Sequence, residues 1–405
     1  MKADHDQVVL VDNGGFFPDT DSQQDVAWFM MDVMKILGTD AIGLSEKELR
    51  WGISYLKAQA KRTQAPLVSA NLLDAATRRP SFLPYVIRKV GTVKVGIFSV
   101  LSDKVDLGPS RDSLKVEEPS ATARRTVAEI RKKGATVVVL LSQLGKVESE
   151  DLVASVLGID AVICGHNVPL IQKGRMIKNT VTSYGGEQGQ YVSRTVLSLD
   201  AQRRVATGEN ESFMLGPEIG DKPEISRVVK SFEDGLNEKL RKAEKEREAA
   251  GSVGAKNPES VDHFLGADFC IRCHAGEGEQ WKTTSHALAW QTLIEVKKDA
   301  TPDCIPCHVV GYKQPGGFQS GSDAGRLGNV QCENCHGMGT QHEAFATAPR
   351  RVTEQTCVGC HHGENDPEFN WAKKLPMIAH SNSSGETVKN KKVHGSPAMM
   401  KSGSH

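Results

Sequence analysis

Through roughly the first 200 residues, short apolar β-branched runs alternate with stretches whose apolar residues recur every three to four positions. Positions 7–11, 66–70, 94–100, 136–141 and 160–164 carry the first pattern and are expected as strands; 22–37, 46–61, 118–134 and 149–157 carry the second and are expected as helices. This alternation predicts a layered α/β domain over residues 1–215. Within the first helix, Phe29, Met30, Met31, Val33, Met34 and Leu37 fall at helical spacing, so the thioethers are expected in a core and not at a ligand site.

Beyond it the pattern changes. Residues 223–250 place Ile225, Val228, Val229, Phe232, Leu236 and Leu240 on one face of a highly charged helix, whose apolar half is expected to dock on a domain and whose charged half is expected to span to the next. With the turn-rich stretch GSVGAKNPES at 251–260 it forms a connecting region, 216–260. Residues 261–380 show little periodicity and are expected as a mostly α, irregular domain; 381–405, rich in Ser, Lys and Gly, are expected to be disordered.

The weakly patterned region holds four copies of Cys-x-x-Cys-His: Cys270, Cys273 and His274; Cys304, Cys307 and His308; Cys332, Cys335 and His336; Cys357, Cys360 and His361. Two thiols at this spacing add to the two vinyl groups of one porphyrin, and the adjacent imidazole takes the iron. Four covalently attached c-type haems are therefore expected, with these histidines as proximal ligands. Zinc ribbons pair CxxC elements about 15 to 20 residues apart and make no demand on the following residue. Here the first cysteines are 34, 28 and 25 residues apart and a histidine follows every pair, which favours haem.

Composition narrows the partners. Lys plus Arg and Asp plus Glu are 50 each, so no overall field draws the chain to nucleic acid or an acidic membrane. Eight of nine cysteines belong to the motifs, leaving Cys164 alone and implying no structural disulfide. Attachment of c-type haem points to an exported protein, periplasmic or at the cell surface, yet the opening residues MKADHDQVV lack a signal-peptide pattern, so a truncated or processed start is expected. No apolar run is long enough to be a transmembrane segment.

The α/β region resembles the metallophosphoesterase domain of bacterial 5'-nucleotidases through VVLVDNGGFF, DAIGLSEKELRWG, PLVSANL, VVVLLSQLG and GIDAVICGH, in that order. The resemblance implies a scaffold that holds two metal ions. Carried over position by position, its ligands are mostly gone. The bridging aspartate corresponds to Gly15, the Gly-Asn-His-Glu motif to Ser45, Glu46, Lys47 and Glu48, and a later histidine to Gln143. Gly-His-x-His corresponds to Gly165, His166, Asn167 and Val168, so only His166 survives. The opening Asp-x-His motif is absent. Loss of phosphohydrolase activity is expected, with His166 a structural histidine.

The contexts QWKTTSHALAW, CENCHGMGTQHEAF and FNWAKKLPMIAH resemble the tetrahaem cytochrome c-554 family, electron carriers that accept electrons from hydroxylamine oxidation. The resemblance covers about residues 266–380 and implies His286, His342 and His380 as distal iron ligands. By that analogy His342 serves the first haem, His286 the third and His380 the fourth, leaving the haem at Cys304 and Cys307 with an open face unless His263, His362 or His394 closes it. Met338 and Met377 are expected to pack.

These readings converge on an exported electron carrier, with the hydrolase-like domain as scaffold or docking module and redox proteins, other cytochromes or a periplasmic oxidoreductase, as partners. Two alternatives stay open: an oxidoreductase acting on a small nitrogen or sulfur species at an open haem, and a bifunctional nucleotide phosphohydrolase. The sequence is silent on oligomeric state, filament formation included.

Overall fold

The computed structural model describes residues 7–20, 23–186, 189–249, 262–343 and 350–380. It divides into two compact units, Met1–Ser226 and Arg227–His405. The expected linker at 251–260 and tail at 381–405 lie outside the described residues.

Among its described residues the first unit has twelve strands: β1 Val11–Asp12, β2 Ala41–Ile42, β3 Leu72–Asp74, β4 Tyr85–Val90, β5 Val93–Leu101, β6 Leu114–Val116, β7 Val137–Gln143, β8 Ala161–Cys164, β9 Met176–Ile177, β10 Thr180–Tyr184, β11 Tyr191–Leu199 and β12 Val205–Met214. Its helices are α1 Gln24–Ile36, α2 Gly52–Thr63, α3 Pro119–Lys132 and α4 Lys146–Ser155. The main sheet has the order β4-β5-β7-β8-β10-β9; β5, β7, β8 and β10 run parallel and the two edge strands antiparallel.

Strands buried on both faces read as continuous apolar runs, and β5 and β7 do. Phe98, Val100, Val138 and Leu140 pack with Val127, Ile130, Leu152 and Val153 of α3 and α4. On the other face Val95, Ile97, Val137 and Leu141 pack with Leu197, Leu199 and Val205 of the β11–β12 hairpin. These layers bear out the expected α/β architecture. Helix α3 begins where Pro119 follows Glu118, whose carboxylate accepts hydrogen bonds from Ser120 N at 2.8 Å and Ala121 N at 2.6 Å, and it ends in Arg131 and Lys132 beside the negative end of its dipole. It approaches β5 so closely that a Cβ on Gly96 would lie 2.2 Å from Ile130 Cγ2; glycine is required there.

Several elements differ from the sequence expectation. The 46–61 helix is split: a 3-10 turn at Lys47–Leu49 precedes α2, and Gly52, the first residue of α2, has φ +83°, so the helix cannot run on from the turn through it. Positions 66–70 form isolated bridges, Ile42 to Leu67 and Val68 to Leu83, and no extended ladder. The β11–β12 hairpin was not expected, because its outer face carries Ser, Arg, Thr and Glu and its apolar alternation is weak. As expected, Met31 and Met34 lie in a core, with Leu56 and Leu72.

The second unit contains most of α5, Pro223–Ala249, followed by short helical turns around Phe264, Trp290, Leu293, Ile305, Val309, Val310, Phe318 and Leu327. Among its described residues strand pairing is limited to one bridge, Val309 to Gly328, in keeping with the mostly α, irregular class. The charged half of α5, expected to span between domains, lies along this unit, with Asp234 3.2 Å from Lys297 and the Arg241 guanidinium paired to Asp299. Among the described residues no helix is long and apolar enough to cross a membrane.

Candidate functional site: four CxxCH turns and a hydrolase-like strand edge

Each CxxCH segment folds as a turn of helix. Cys270 ends the turn Ala267–Cys270 and His274 N bonds back to Cys270 O at 3.0 Å; Cys304 leads the 3-10 turn Ile305–Cys307; Cys332–His336 is a turn in itself; Cys357 lies in Glu354–Val358 and His361 N reaches Cys357 O at 2.9 Å. Residues i, i+3 and i+4 share one face of a helical turn, so both thiols and the imidazole of each motif face one side, as a single porphyrin requires. Start signals hold these turns: Gln331 with Asn334, and Thr353 with Thr356, form reciprocal capping boxes at the third and fourth motifs.

Among the described residues the fold brings a second imidazole to three of the four. His274 and His342 have ring centroids 6.2 Å apart, His286 and His361 6.1 Å, and His336 and His380 5.9 Å. Two iron–nitrogen bonds of about 2 Å, with about 1.1 Å from each nitrogen to its ring centroid, put the rings of a bis-imidazole iron about 6 Å apart. The residues present therefore fit a haem iron between each pair. The partners of two distal histidines differ from expectation: His286 faces the fourth motif and His380 the third. The family analogy had them reversed. Spacing along the chain could not settle this, because the turn at Ser285–Leu288 is tied to distant residues, with the His286 carbonyl accepting from Val330 N at 3.1 Å.

Outer contacts fix the rings. His361 Nδ1 is 2.8 Å from Asp366 Oδ2, and its ring stacks on Phe369 at 5.2 Å. His308 Nδ1 is 2.6 Å from the Ala289 carbonyl oxygen, which can only accept; Nδ1 thus carries the proton and Nε2 is left to bind metal. His308 belongs to none of the three ring pairs. Burial, then the neighbouring His361, push the His286 imidazole below its ordinary value. Met338 packs against the core, as expected, whereas Met377 is exposed. His394 lies outside the described residues.

The motifs also approach one another. The neighbouring Cys332, then burial, push the Cys270 thiol up, while Cys270 holds the Cys332 thiol down. Burial, then the neighbouring Cys307, push the Cys360 thiol up to about 12. Cys335, raised to about 11 chiefly by burial, also feels Cys357. Asn334 Nδ2, inside the third motif, also donates to the carbonyl of Val309, just past the second, at 2.9 Å.

In the first unit, the carboxyl ends of the strands carry a different arrangement. The buried Glu48 carboxylate accepts from Ser45 N at 2.8 Å, Ser45 Oγ at 2.9 Å, Phe16 N at 2.9 Å and Gly15 N at 3.0 Å. Burial raises its pKa against these donors. Asn13 Nδ2 donates to Ser142 O at 3.1 Å and Ile163 O at 3.2 Å, and Gln143 Nε2 donates to Asn13 O at 2.6 Å. Amides thus tie β1, β7 and β8 together. His166, at φ +69°, has Nδ1 3.3 Å from Glu46 Oε1. Among the described residues no group of three or more His, Cys, Asp or Glu side chains has the geometry to hold a metal ion. Burial, opposed by the Gly14 N–H and reinforced by Glu48, lifts Asp12 to about 6.

Motifs and fold together define a multihaem c-type cytochrome unit joined to a metallophosphoesterase-like α/β unit. Residues 269–337 match the sequence model of the family described as Cytochrome c554 and c-prime. Over 126 residues the chain is 37% identical to cytochrome c-554 of Nitrosomonas europaea, covering 27% of this chain and 51% of that protein. Over 208 residues it is 27% identical to the 2',3'-cyclic-nucleotide 2'-phosphodiesterase/3'-nucleotidase of Haemophilus influenzae, covering 44% of this chain and 32% of that one. In fold it is similar to the sulfate thiohydrolase SoxB of Thermus thermophilus, with a TM-score of 0.51 at 20% identity over 55% of this chain and 42% of that one. The chain thus spans about half of the cytochrome and a third of the nucleotidase.

Sequence reasoning missed Asp366, the Ala289 carbonyl and the Glu48 cluster. Asp366, five residues after His361, was open to inspection; the carbonyl contact depends on tertiary placement and left no signal.

Proposed function

We propose that the chain is an exported tetrahaem electron carrier. The observation that carries this reading is the set of three histidine pairs at bis-imidazole spacing, each with its own CxxCH turn. Haem iron held by two imidazoles exchanges one electron and leaves no position for substrate. The protein's part is to orient the rings, through Asp366 on His361 and the Ala289 carbonyl on His308, and to hold the motifs close enough for transfer between neighbours. Its partners are redox proteins, and its setting is periplasmic or cell-surface. The α/β unit serves as a scaffold or docking module. Gly15 and Gln143 in place of ligands, and the Glu48 carboxylate filled by protein donors, argue against a working dinuclear centre.

Mass spectrometry and electron paramagnetic resonance of protein matured in a haem-attaching host test the reading. Four attached haems with at least three low-spin irons are the expected result; fewer than four haems would overturn it.

The separation of His308 from the three pairs favours a second reading for that motif: an iron open on one face, able to bind a small nitrogen or sulfur species. A high-spin signal from one iron in four, with turnover of such a species, distinguishes it from pure electron transfer.

A further inference from the structure

The long helix α5 lies outside the region matched to the cytochrome family, residues 269–337. It nevertheless grips the segment that leads into the second CxxCH motif. Glu233 is 3.6 Å from Lys298, Asp234 3.2 Å from Lys297, and Arg241 pairs with Asp299. Between them Asn237, 5% exposed, accepts a hydrogen bond at 3.0 Å from the Thr301 hydroxyl. One helical repeat further on, Glu244 accepts from Gly321 N at 3.2 Å. At about 100° per residue these five positions fall within one arc of about 100°, so a single face of the helix makes every contact.

The gripped segment is mechanically continuous with the motif. Lys297 takes φ +59°, a left-handed conformation unfavourable for a lysine, and its ammonium is held by Asp234. The Thr301 carbonyl accepts from Cys304 N at 3.1 Å and Ile305 N at 3.2 Å, which starts the turn carrying Cys304, Cys307 and His308. The other end of the segment is the helix Ala289–Glu295, whose Ala289 carbonyl holds His308 Nδ1. Thr301 is therefore a pivot, its hydroxyl on α5 and its carbonyl on the motif. The carbonyl's bonds are local to the segment, whereas the hydroxyl's bond to Asn237 is not available to a cytochrome module lacking this helix.

We propose that α5 is the positioning element of the second haem site, with Asn237 and Thr301 as its positioning residues. Through them a displacement of the helix reaches the turn that presents His308, and the other three motifs stay as they are. The chain passes from its first unit to its second through this helix, so an event that strains α5 has a route to one haem of the four. The inference rests on the reading of Cys304, Cys307 and His308 as a haem site.

The experiment uses the full-length, haem-loaded protein in five forms: wild type, Asn237→Ala, Thr301→Val, Thr301→Ser and the combination of Asn237→Ala with Thr301→Val. Haem is counted by mass, and hydrogen exchange is followed in peptides spanning 299–310 and in those covering the other motifs. Loss of one net hydrogen bond speeds exchange at Cys304 and Ile305 about three- to tenfold in Asn237→Ala and Thr301→Val, with the other motifs unchanged. Thr301→Ser keeps the hydroxyl and exchanges like wild type, and combining Asn237→Ala with Thr301→Val adds nothing to either alone. Unchanged exchange at 304–305 in both single variants, or equal acceleration at all four motifs, overturns the proposal. A wild type that carries no haem on Cys304 and Cys307 overturns the site reading instead, while the exchange comparison still decides the mechanical link.

Discussion

Replacing Asp366 with asparagine removes one negative charge from behind the His361 ring while keeping an acceptor of the same shape. The carboxylate oxygen lies 2.8 Å from Nδ1, which puts it about 6 to 7 Å from an iron bound to Nε2. At an effective dielectric of about 20, a unit charge at that distance favours the ferric over the ferrous state by about 2.5 kcal/mol. Asp366 is 20% and His361 37% exposed, so solvent and salt cut the figure to roughly half, about 1.2 kcal/mol. For one electron this is about 50 mV. Asp366→Asn therefore raises one of the midpoint potentials by about 50 mV, because the ferrous form loses less than the ferric. Spectroelectrochemical titration resolves the four Nernst components, and adding salt shrinks the difference between the proteins. A component that does not move, moves downward, or moves together with all the others would refute the reasoning.

Three further predictions follow from particular contacts. His286→Ala turns the iron of the fourth motif high-spin and His380→Ala that of the third, with four haems still attached; paramagnetic resonance with motif-by-motif assignment checks this, and the reverse pattern would restore the order given by family analogy. Asp12, lifted from 3.8 to about 6, holds its proton more tightly folded than unfolded, so its stabilisation is complete below about pH 3.8 and is lost as pH rises through 6. Asp12→Asn should stabilise the protein at pH 8 by about 3 kcal/mol and flatten the stability profile between pH 4 and 6 in urea titrations; a slope unchanged by the substitution would be inconsistent with that assignment. Purified protein given manganese and a nucleotide monophosphate is expected to release no phosphate above a blank, and robust metal-dependent release would revive the bifunctional hydrolase.

What could be read in the sequence followed how local its cause is. The CxxCH turns are set by residues one to four apart, and their ligating residues were legible without a fold. Strands β5, β7 and β8 were legible because burial on both faces leaves unbroken apolar runs. The β11–β12 hairpin was not, since one face meets solvent and its polar residues dilute the alternation. Distal histidines could be nominated from their surroundings, but which motif each meets is a long-range property. His286 lies 75 residues from His361 and 50 from His336, and only packing chose the former. The Glu48 cluster was invisible for a related reason: all its donors but the Ser45 hydroxyl are backbone N–H groups, which carry no sequence signature.

The reciprocal caps at the third and fourth motifs bear on maturation. Each is made by side chains within three residues of one another, so those two turns can form while the rest of the chain is still open. The second turn instead starts from the Thr301 carbonyl, whose residue is held by Asn237 far back in the chain. When haem is scarce, Cys332 and Cys357 are therefore expected to be filled before Cys304.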